Sequence, residues 1–258
     1  MADSISPPSD PTGPSVTTPA HTTTRLRDLL ELSIGYALIM LVIWTPRPWQ
    51  RLFYCSAIIY IAFVLWTSFR SVQAMGLRTT NLLRSLWIVG VAILMAAIAI
   101  TLAIRFHTLH PLDAPIAFLK RYWGYALWSF LQQVLLQDFF LRRLLRLIPN
   151  PHTAVLATAT IFAIAHIPSP VLTIVTFSLG LTACLLFLRY RNLYSLAISH
   201  AILGITLAIT LPNPIIRNMR VGLGYLTYRE HHPHHRNHSD HVVSTKAWVM
   251  ADAPTLRF

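Results

Sequence analysis

The chain has 258 residues, of which 54% are hydrophobic and only 12% charged. A soluble domain carries about a quarter of its residues charged, so the balance excludes a large soluble core and indicates a membrane protein. A net charge of +12 would suggest a nucleic-acid partner in a soluble protein. Here the arginines fall between apolar runs and no basic patch with interleaved aromatics occurs, so the partners expected are the lipid bilayer and no nucleic acid.

Residues 1–24 are rich in Ser, Thr and Pro and lack apolar periodicity, which reads as a disordered tail. Asp3 and Asp10 stand where a signal peptide needs a basic region, so insertion is expected to depend on the first spanning helix. Seven spanning segments come next, at about 26–45, 52–69, 85–105, 123–148, 152–167, 170–188 and 193–211, each near the length a bilayer needs. The fold class is therefore all-α, a polytopic membrane helix bundle of about seven or eight spans. Residues 25–75 carry the N-terminal spans, 76–211 the core, and 212–258 a polar tail.

Between the second and third spans, residues 71–84 read as an amphipathic segment on the inner surface. The fifth span is the shortest. Pro151 opens it at a favourable first-turn position and Pro168 stops it, so it is expected to be buried among its neighbours. A weak eighth segment around Ile215–Leu226 is interrupted by Arg217 and Arg220. With the N-terminus inside, the inner loops collect Arg70, Arg142, Arg143, Arg146, Arg189 and Arg191 among others, whereas the outer loops hold few basic residues. That bias favours a cytoplasmic N-terminus, and the absence of any organelle signal suggests a bacterial inner membrane. Cys55 and Cys184 lie in apolar runs, form no CxxC pair and read as structural thiols.

Between Tyr36 and Arg229 the only acidic residues are Asp113 and Asp138. Asp138 lies within the fourth span, and ionisable groups at such positions are costly enough to be functional suspects by default. Arg142 stands four residues on, on the same helical face, and Gln133 and Gln137 form a second such pair. A bland account has Arg142, Arg143 and Arg146 marking the inner helix end with Asp138 neutralising one of them. It leaves the glutamines unexplained. His166 closes the fifth span and His200 lies within the seventh, where an imidazole needs a partner. Counting along the helices from the turn at Asn150-Pro151 puts Asp138 and His166 within about 5 Å of the same depth, so one cavity can hold all three.

In order and spacing these residues resemble the CAAX-protease and bacteriocin-processing (CPBP, or Abi) family of intramembrane endopeptidases. Its Glu-Glu-x-x-x-Arg, Phe-x-x-x-His and His-x-x-x-Asn motifs have counterparts in Gln137-Asp138-x-x-x-Arg142, Phe162-x-x-x-His166 and His200-x-x-x-Gly204, and Gly76-Leu77-Arg78 is also typical. The resemblance implies a hydrolase that cuts a membrane-anchored or lipidated protein or peptide. Its catalytic set would be Asp138, His166, His200, Gln137 and Arg142. The family's first glutamate is Gln137, which takes no proton, and Asp138 stands one position further round the helix. The family's asparagine, an oxyanion donor, is Gly204, and Gln133 or Gln137 could donate in its stead. No cofactor is required on this account. Zinc is compatible with two histidines and an aspartate, but the spacing lacks His-Glu-x-x-His.

Two alternatives stand beside it. One is a catalytically silent relative that binds membrane peptides or serves as an immunity or scaffold factor, as the loss of the glutamate and asparagine suggests. The other is a metal-handling protein, suggested by the six histidines of His231–His241, for which a polar tail with adventitious metal affinity is the simpler account.

Overall fold

The computed structural model describes residues 19–110 and 114–228; the expected tail before Pro19, Asp113 and the His231–His241 cluster lie outside them. The described residues form helices joined by turns, with no strand among them. In chain order the helices are α1 (Pro19–Trp44), α2 (Trp49–Thr67), α3 (Leu82–Arg105), α4 (Pro115–Val134), α5 (Arg142–Leu147), α6 (Pro151–Ile164), α7 (Pro170–Tyr190), α8 (Leu193–Thr210), α9 (Asn213–Ile216) and α10 (Gly222–Leu226). A π-helical segment, Leu135–Leu141, joins α4 to α5. α2, α3, α7 and α8 are long and apolar enough to cross a membrane, and the fold is an all-α membrane helix bundle.

Local chemistry sets the helix starts. Asn150, Ser169 and Asn192 cap α6, α7 and α8 by accepting backbone N–H groups, and Pro151 and Pro170 occupy first-turn positions that need no N–H partner. α6 is the short element the sequence suggests. Its 14 residues make about 21 Å at 1.5 Å per residue, less than the hydrocarbon thickness. It is not wholly enclosed, however. Ala154, Val155, Ala159 and Ala163 are buried while Leu156 and Ile164 stay open, because small residues on one face suffice for close packing on α7.

In two segments no long helix forms. Residues 71–81 of the amphipathic segment make a strap of turns, with Gly76 at φ +80°, a left-handed conformation that favours glycine. The Gly76 carbonyl accepts from Leu193 N at 2.8 Å. The buried Asn192 side chain donates to Arg78 O and to Asn81 Oδ1, each at 2.9 Å, and Asn81 Nδ2 donates to Tyr190 O. These polar anchors compete with helical pairing and tie the strap to the α7–α8 turn. The proposed eighth span is also absent. Its residues divide into α9, a short 3-10 turn at Arg217–Met219 and α10, broken by left-handed residues at Arg217, Asn218 and Met219. This piece folds back, with Gly222 N donating to Ile167 O at 2.9 Å.

The π segment is the centre of the bundle. Leu136 and Leu141 enter a core with Val155, Cys184, Phe187 and Leu193, whereas Phe139 and Phe140 enter a second core with Leu32, Ile61 and Val64. Consecutive apolar residues thus serve both halves of the molecule.

Candidate functional site

α4 and α8 run side by side, and polar groups meet between them. Tyr125, Ser129, Gln133 and Gln137 recur every four residues, one stripe along the fourth span. Gln137 Nε2 donates to Gln133 Oε1 at 3.2 Å. Gln133 Nε2 lies 3.0 Å from His200 Nδ1. An amide nitrogen only donates, so with the Gln133 amide in this orientation His200 Nδ1 accepts and its proton resides on Nε2. The chain Gln137–Gln133–His200 is therefore neutral and directional, and it ends in an imidazole N–H donor. All three side chains are buried.

His166 lies just beyond α6, in the turn before α7, and not within the helix as its position in the expected span suggests. Its Nδ1 lies 2.8 Å from the Phe162 carbonyl, which only accepts. Here Nδ1 carries the proton, satisfying a carbonyl left over at the helix end, and Nε2 is an acceptor. The Phe162 ring contacts both imidazoles, with centroids 5.0 Å from His166 and 6.3 Å from His200. Two histidines thus flank one aromatic ring in opposite tautomers.

Asp138 has a different hydrogen-bond partner. It is buried in the π segment, with Oδ1 accepting from Arg142 at 3.2 Å, the partner the spacing suggests. Among the described residues no hydrogen bond joins it to His166 or His200. Asp138 Oδ2 and the neighbouring Gln137 Oε1 are buried acceptors without a hydrogen-bond partner. Such groups are rare in native structures and gather at functional sites. π segments within α-helices have the same association.

The remaining arginines of this helix have partners that motif spacing did not disclose. Arg143, 1% exposed, donates to Glu31 Oε2 at 2.8 Å, to Ser68 Oγ at 3.1 Å and to the carbonyls of Asp138 and Phe139. It satisfies carbonyls at the end of the π segment and joins α1, α2 and α5. Arg146 forms a two-pronged pair with Asp28 at 2.7 and 2.6 Å. The signal available in the sequence was the acidic pair Asp28 and Glu31, three apart at the start of an otherwise apolar span.

An apolar groove of about 170 Å³ opens between α3, α7 and α8, lined by Trp87, Val91, Met95, Leu179 and Leu186 and reaching Gln133 and Ser199. It touches the polar chain without exposing the ionic pairs. Among the described residues no three His, Cys, Asp or Glu side chains gather as a metal ion would need.

The described elements make an integral membrane protein whose helices enclose a buried centre of amides and imidazoles. Residues 123–206 match the family model described as Rce1-like, type II CAAX prenyl endopeptidase, the CPBP/CAAX protease family whose motifs the chain resembles. The match spans the site from Tyr125 to Gly204 and supports, at family level, a CAAX-protease-like intramembrane peptidase, a hydrolase class acting on membrane-anchored proteins. No curated protein and no solved structure gives a match.

Proposed function

We propose that this protein is an intramembrane endopeptidase that hydrolyses a peptide bond of a membrane-anchored or lipidated protein. The observation that carries the proposal is the pair of histidines around Phe162, each held through Nδ1, one by the Phe162 carbonyl and the other by Gln133. His166 Nε2 is an acceptor suited to a general base, and His200 Nε2–H is a donor suited to a developing oxyanion.

The step derives from those roles. His166 Nε2 takes a proton from water as the water oxygen attacks the scissile carbonyl carbon. The carbonyl oxygen becomes an oxyanion and accepts from His200, whose orientation Gln133 and Gln137 maintain. Collapse of the tetrahedral intermediate breaks the C–N bond, and the proton on His166 passes to the leaving amine. Asp138 contributes a buried carboxylate oxygen with no partner, and Arg142 holds its other oxygen in place. As no hydrogen bond joins Asp138 to His166, their cooperation runs through the attacking water. The groove ending at Gln133 suits the apolar part of a substrate entering from the bilayer. The charge bias of the loops supports a cytoplasmic N-terminus.

A silent, peptide-binding relative is favoured by one observation: among the described residues neither histidine is hydrogen-bonded to a carboxylate. Purified protein in proteoliposomes with a prenylated CAAX peptide separates the two. Release of the C-terminal residues by the wild type, abolished in Asp138→Asn and in His166→Ala, is the expected result. Cleavage at the wild-type rate by both variants, or none by the wild type, would sink the enzymatic mechanism.

A further inference from the structure

Gly204 lies one turn of α8 beyond His200 and on the same face. A Cβ built at Gly204 would lie 1.9 Å from the Tyr125 hydroxyl oxygen and 2.6 Å from the ring carbon that bears it. The phenol of α4 therefore occupies the space where a side chain at position 204 would begin. No other residue type fits there while Tyr125 keeps its place. Residues one turn apart have Cβ atoms about 5–6 Å from each other, so the hydroxyl lies about one helical turn along α8 from His200. Tyr125 is also the outermost member of the stripe whose inner members, Gln133 and Gln137, orient that imidazole.

We propose that Tyr125 is a catalytic residue, its O–H donating to the substrate carbonyl oxygen beside His200 Nε2–H. The inference rests on the peptidase mechanism above and extends it. Position 204 supplies no side-chain donor, and Tyr125 supplies one from the facing helix. The two donors come from different helices, and only a glycine lets them converge. In the tetrahedral intermediate the oxyanion accepts from both groups without a change in proton count, and the phenol keeps its proton throughout. A phenol suits an apolar bundle, since its ring packs against α8 while its hydroxyl remains the polar tip.

The test uses the full chain in proteoliposomes with a prenylated CAAX peptide. Tyr125→Phe removes the oxygen and keeps the ring on Gly204. Its kcat should fall about 100-fold, the usual consequence of losing one oxyanion donor, with KM within about twofold and an unchanged melting temperature in detergent. Tyr125→Ala with Gly204→Asn exchanges the phenol for an amide in the same space and should recover part of the rate lost in Tyr125→Ala alone. A Tyr125→Phe variant at the wild-type rate, or one whose loss of rate tracks an equal loss of thermal stability, overturns the proposal. If His200→Ala is inactive while Tyr125→Phe is not, only the role of Tyr125 falls. If the wild type and His200→Ala both fail to cut, the peptidase mechanism falls and takes this proposal with it.

Discussion

The two polar regions of this bundle are built from different chemistry. Between α4 and α8 the groups are neutral: two amides, an imidazole and a phenol, the amides and imidazole joined in a directional chain. At the junction of α1 and α5 they are ionic, with Arg143 on Glu31 and Arg146 on Asp28. Neutral donors and acceptors can lie deep in an apolar interior at modest cost and remain available to a reacting group. Paired ions are already satisfied by each other and serve as fasteners. Asp138 stands at the border, one oxygen held by Arg142 and the other without a hydrogen-bond partner.

That contrast can be broken most sharply at His200. His200→Ala should reduce kcat by at least about 100-fold, as for removal of an oxyanion donor, while the melting temperature in detergent changes little; an equal loss of both would move His200 into the fastener class. Arg143→Met should do the reverse, removing the buried partner of Glu31 and leaving that carboxylate only the exposed Arg27, a stability loss of about 1.5–3 kcal/mol. Adding Glu31→Leu should restore much of it, as read by denaturation in mixed micelles. Gln133→Leu cuts the link to His200 and should lower the rate about tenfold, the worth of one hydrogen bond. Arg146→Ala should have the smallest effect, about 1 kcal/mol, because water reaches the 45% exposed arginine although the Asp28 it leaves behind is only 6% exposed. A larger cost would show that Asp28 is fixed more tightly than its exposed partner implies.

Much of this was legible in the sequence because the bilayer imposes strong rules. Apolar run length located the helices, and Pro151 marked the start of the shortest of them. The Asp138–Arg142 pair was readable from helical spacing alone. The features that could not be read depended on facing surfaces. The ion pairs of Glu31 and Asp28 cross more than a hundred positions of chain, and no local pattern encodes them. The Tyr125 hydroxyl and Gly204 are likewise a meeting of two helices, visible in sequence only as a polar residue every fourth position. The path of the strap at 71–81 was not readable either, because the side chains of Asn81 and Asn192 decide it from opposite ends of the fold.

The π segment acts as a phase adjuster between two registers. Such a segment amounts to one extra residue in an α-helix, and an added residue rotates the helix on one side of it by about 100° relative to the helix on the other. Upstream, the phase of α4 is set by α8 through Gln133 and His200; downstream, that of α5 is set by α1 through Glu31 and Asp28. Deleting one residue within 135–141 would force a choice between the two. The fasteners and the amide–imidazole chain could no longer be engaged at once, so this single irregular turn lets an ion-locked frame carry a neutral polar centre.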